Sequence, residues 1–73
     1  MTYTLLAVSS ITYALKGKRL LNGMGYYCEI EKTPKGLSSG CGHSLHVRDD
    51  PEVICSLLRR NGIDTRDRMT VNR

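Results

Sequence analysis

Tyr26-Tyr27-Cys28-Glu29-Ile30-Glu31-Lys32 alternates an apolar set, Tyr26, Cys28 and Ile30, with Tyr27, Glu29 and Glu31. His43-Ser44-Leu45-His46-Val47-Arg48 resumes the alternation, setting Leu45 and Val47 against Ser44, His46 and Arg48. A period of two sends successive side chains to opposite faces, so each stretch reads as a half-exposed strand. The two are expected to pair as a hairpin. Upstream, Tyr3 to Val8 is a short apolar run of the kind found in a central strand. Ser9 and Ser10 are candidate caps for a helix starting near Ile11, whose stripe is read as Ile11, Ala14, Leu15, Lys18 and Leu21, with Leu20 beside it. Asn22-Gly23-Met24-Gly25 ends that helix.

Downstream, Asp49-Asp50-Pro51-Glu52 sets a capping carboxylate, a first-turn proline and acids at a helix start. Ile54, Leu57, Leu58 and Asn61 trace the buried stripe, and Asn61-Gly62 stops it. Ile63 to Val71 is a weaker strand, charged as edge strands often are. Strand, helix, strand, strand, helix, strand is most economically an α+β, ferredoxin-like βαββαβ sandwich. Two helices should cover one face of an antiparallel sheet ordered 4-1-3-2. The other face is expected to carry Tyr27 and His46, with Leu6 and Val8 as further candidates, and to invite a homodimer.

Seventy-three residues make one domain, residues 1–73. A chain of this length buries only about 60% of its unfolded surface, which disfavours a deep active site with its own lid. At 40% hydrophobic and 25% charged it is too apolar for disorder, and no apolar run approaches a bilayer span. The N-terminal residues show no export signal, and three cysteines cannot close a disulfide framework, so a cytoplasmic protein with free thiols is expected. The net charge is +4, yet the eleven cations never form a block of five, which speaks against nucleic acid as a partner.

Chemistry concentrates in Thr33-Pro34-Lys35-Gly36-Leu37-Ser38-Ser39-Gly40-Cys41-Gly42, longer than a plain hairpin needs. Gly40 and Gly42 leave the Cys41 sulfur unshielded. The expected topology sets this loop at the same end of the sheet as the start of the first helix, where its dipole, the Ser9 and Ser10 hydroxyls and Lys35 would favour a thiolate. Cys28 sits on the apolar face of its strand, and Cys55 is expected towards the opposite end of the molecule. A lone exposed thiol suits a carrier better than a dithiol oxidoreductase. His43 is a candidate helper for Cys41. A metal site through Cys41 and His43 is the alternative, but His43 and His46 should point to opposite faces and a further ligand would be needed.

The loop resembles the T-P-R-x-[IL]-S-S-G-C-G signature of the selenium/sulfur carrier-like family, small bacterial domains of about this length. The flanks are similar too: a first strand ending in serine, an Ala-Leu helix and a closing helix ending Asn-Gly-Ile. The resemblance implies a persulfide or selenopersulfide held on Cys41, in a loop shaped by Ser38, Ser39, Gly40 and Gly42 with Lys35 as anion support. It implies a carrier rather than an enzyme, needing no cofactor and no metal. A donor protein such as a cysteine desulfurase would load it, and an acceptor protein would collect the cargo. Lys35 stands where the family signature has arginine, keeping the charge and losing the bidentate fork. Lys18 stands where an acid is usual. The alternative function is a small metal-binding or docking module using the Cys/His loop and the basic surface.

Overall fold

A computed structural model describes residues 2–37 and 42–72. The elements run β1 (Thr2–Val8), α1 (Ile11–Gly23), β2 (Cys28–Lys32), β3 (His43–Val47), α2 (Pro51–Arg60) and β4 (Thr65–Asn72). The four-stranded sheet has the order β2-β3-β1-β4, with every neighbouring pair antiparallel. This is the expected ferredoxin-like topology, with β1 and β3 central.

Both helices end in the same way. Gly25 and Gly62 take φ of 87° and 77°, which glycine adopts without a Cβ penalty. The next residue then donates back into the last turn, Tyr26 N to Leu21 O at 2.9 Å and Ile63 N to Leu58 O at 2.9 Å. This is a Schellman cap, and the apolar contact that accompanies it places Ile63 and Leu58 together in the core. It also explains why β2 begins at Cys28 rather than Tyr26. The Tyr26 amide is engaged in the cap, and Asn22 Nδ2 donates to the Tyr26 carbonyl at 3.0 Å. At the helix starts, Ser10 Oγ accepts from Tyr13 N at 3.2 Å and Asp50 Oδ1 accepts from Glu52 N at 2.9 Å.

The core lies between the sheet and the helix layer: Leu6, Val8, Leu45 and Val47 from the strands meet Ala14, Leu21, Ile54 and Leu58 from the helices. Two expectations are corrected here. The buried residues of α1 are Ala14, Gly17 and Leu21, whereas Ile11 and Leu15 are 44% and 55% exposed. The helix is rolled because Gly17 allows a close approach: a Cβ there would sit 2.9 Å from Leu45 Cδ1 and 3.3 Å from Leu58 Cδ2. The second correction concerns β1. Leu6 and Val8 face the helices and are fully buried, while Tyr3, Leu5 and Ala7 occupy the other face. In an unbroken apolar run the face of each residue is set only by pairing, here Leu6 with Leu45 and Leu5 with His46.

Candidate functional site

The register fixes the frame of the candidate loop. Lys32 pairs with His43 and Ala7 with Ser44, so the end of β2, the start of β3 and the end of β1 lie together at one end of the sheet. The start of α1 follows β1 at that same end. Ser38, Ser39, Gly40 and Cys41 lie outside the described residues. The residues on either side of them are placed by the ladder and by the turn that follows β2.

The approach to the loop is firmly held. Thr33 N donates to Gly42 O at 2.8 Å, extending the hairpin by one bond beyond the ladder. The Thr33 and Ser44 hydroxyls lie 2.7 Å apart, and Ser44 is fully buried. Leu37 N then donates to Pro34 O at 3.3 Å, closing a turn whose third residue, Gly36, has φ of 91°. That turn delivers Leu37 onto Leu5 and Ala7, where it is only 8% exposed. The first half of the loop thus folds over the helix-free face of the sheet, opposite the layer that contains α1.

This placement bears on the expected support for a thiolate. The Ser10 hydroxyl is occupied in capping α1. Lys35 is exposed, and His43 is half-buried at the start of β3. His43 shares the face of Leu45, whereas His46 shares that of Ser44, so the two imidazoles do point to opposite faces. His46 is bound elsewhere: its Nδ1 hydrogen-bonds Glu31, and its ring stacks on Tyr3 at 4.1 Å and 17°. Among the described residues no three His, Cys, Asp or Glu side chains converge as metal ligands.

The other thiols are both free. Cys28 is 1% exposed in the core, and its pKa is pushed from 9.0 up to about 12. Burial is the main cause and the Glu29 charge adds to it, against a smaller opposing effect of Lys18. Such a thiol is protonated at any physiological pH. Cys55 lies 3.7 Å from Thr65 Oγ1 in a cleft of about 270 Å³ lined by Glu52, Arg59, Asp67 and Arg68, where Arg68 Nη2 meets Glu52 Oε1 at 2.5 Å. Thr65 pairs with Val8, at the loop end of the sheet. Cys55 is therefore separated from the loop by the width of the sheet, with β1 between β3 and β4, and not by its length as the sequence suggested.

Sequence reasoning missed the Thr33–Ser44 clamp and the Leu37 anchor. A lone leucine inside a glycine- and serine-rich stretch was the available signal for the anchor.

Fold and site together define a small ferredoxin-like domain that mounts a cysteine-bearing loop on the end of a minimal sheet. Residues 3–68 match the family model described as "Putative Se/S carrier protein-like". The chain belongs to that family. Neither a curated protein nor a solved structure matched it.

Proposed function

We propose that the protein carries sulfur or selenium on Cys41 and relays it between a donor and an acceptor protein in the cytoplasm, acting as a carrier and not as an enzyme. The observation that carries this reading is the family match across residues 3–68, which includes the whole loop. The burial of Cys28 supports it by removing one competing thiol. In the loading step the Cys41 thiolate attacks the terminal sulfur of a donor persulfide. A new S–S bond forms on Cys41, the donor's own S–S bond breaks, and the donor leaves as a thiol after taking up a proton. Delivery is the same exchange in the other direction, so no external oxidant is required. The same balance holds for selenium carried as a selenopersulfide.

Ser38, Ser39, Gly40 and Gly42 shape the loop in this proposal, and Lys35 supplies positive charge near the developing anion. His43 is the candidate helper. Incubation with a cysteine desulfurase and cysteine, read by intact mass, is expected to add one sulfur atom that dithiothreitol removes. Cys41→Ser abolishes the adduct, and Lys35→Glu slows its formation. An adduct on Cys28 or Cys55 overturns the assignment. Stoichiometric zinc that is lost in Cys41→Ser or His43→Ala would replace it with a metal-binding role.

A further inference from the structure

The helix-free face is built as a strip of aromatic and charged groups along β2 and β3. Tyr27 sits edge-on to His46 at 5.6 Å and 73°, and the Arg48 guanidinium lies 4.0 Å from the centre of the Tyr27 ring. Tyr27 is 39% exposed, a large value for an aromatic ring on a sheet. Among the described residues no helix lies on this face, and Leu37 covers only its Leu5 and Ala7 corner.

The charges on the strip have an order that the register makes explicit. Glu29 pairs with His46, and Glu31 pairs with Ser44 two residues towards the loop. Two residues the other way, Tyr27 and Arg48 flank the end of the ladder. The strip is thus negative at Glu31, whose carboxylate also holds His46 Nδ1 in its own chain, positive at Arg48, and centred on the Glu29–His46 rung.

We propose that a second copy of this chain covers the face. The contact is isologous, with a two-fold axis lying across the strands through the Glu29–His46 rung. That rotation exchanges the two ends of the strip, so Arg48 of each protomer falls over Glu31 of the other, twice. Sheets pack about 10 Å apart, a gap that an arginine and a glutamate reaching from opposite sides can bridge. Glu29, nearest the axis, is already neutralised by Lys18 at 3.3 Å. The slab measures 28 × 27 × 17 Å, so its broad face sets an upper bound close to the roughly 800 Å² that each partner contributes to a stable interface. A polynucleotide is disfavoured on the strip, because Glu31 would oppose its phosphates.

Sedimentation equilibrium on the wild type, Arg48→Glu, Glu31→Arg and the double variant tests this arrangement. Both substituted positions are exposed, and circular dichroism checks that the fold is retained. The wild type is expected to be dimeric, and each single reversal to weaken the dimer at least about tenfold by placing like charges together. The double variant restores it. A mixture of the two single variants also restores it, as a heterodimer in which both pairs are again opposite in sign. A wild type that stays monomeric up to about 1 mM overturns the proposal, as does failure of both the double variant and the mixture to recover association.

Discussion

Cys28 links the burial of one atom to the behaviour of the protein in alkali. Its folded pKa, about 12, exceeds its ordinary 9.0, so the folded state holds the proton more tightly than the unfolded chain does. The resulting stability is fully present below pH 9 and is lost as pH rises from 9 towards 12. Urea melts of the wild type and Cys28→Ala are therefore expected to converge across that window, and a constant difference would contradict the cause assigned to the shift. In the native state at pH 8, Cys28 should resist iodoacetamide until the protein is unfolded. Gly17 offers a second test. Valine there meets Leu45 and Leu58, and overpacking of this kind costs about 1–3 kcal/mol, measurable by the same melts. Gly42 behaves differently: among the described residues a Cβ meets nothing within 4 Å, but φ is 76°, so a side chain strains the backbone. A slowed transfer in Gly42→Val would therefore include a change in loop conformation as well as any blocking of an approaching partner.

At the scale of elements, the turn from Thr33 to Leu37 is the part that positions the site. Leu37→Ser exposes Leu5 and Ala7 and removes a nearly buried side chain, with an expected cost of about 1–3 kcal/mol. Leu37→Met should recover most of it. Asp50→Ala should cost about 1 kcal/mol through loss of the cap on α2. These elements differ in how plainly the sequence announces them. Asn22 to Gly25 and Asn61-Gly62 mark helix ends because a left-handed residue is chemically distinctive there, and the order of elements then leaves few topologies. The face presented by Leu6 and Val8 was not legible, since a continuous apolar run has no period and the bulge between Ala7 and Val8 shifts the pairing. The roll of α1 was hidden for a related reason. A glycine is buried without contributing apolar area, so Gly17 drops out of any hydrophobic stripe. At the candidate site the motif made Cys41 legible, while the Thr33–Ser44 hydroxyl pair depends on a contact across the hairpin that no local pattern encodes.

The whole molecule is a two-layer slab with a thiol-bearing loop at one end and, in the proposed dimer, a partner across its open face. Leu37 belongs to both, since the side chain that anchors the loop lies on that face. The two anchors, Leu37 on the sheet and Gly42 on the ladder, also set a tether length. Only residues 38–41 lie between them, and a chain extends at most about 3.3–3.6 Å per residue. The proposed carrier residue thus belongs to a span of four residues between two tied ends. In the proposed relay the cargo then has no long arm on which to swing between distant active sites, and the carriage falls to the entire protein diffusing from donor to acceptor. Loading and delivery are then two separate collisions, and each rate should rise in proportion to the concentration of free carrier. Fusing the carrier to its donor through a flexible linker should make loading independent of concentration while leaving delivery bimolecular.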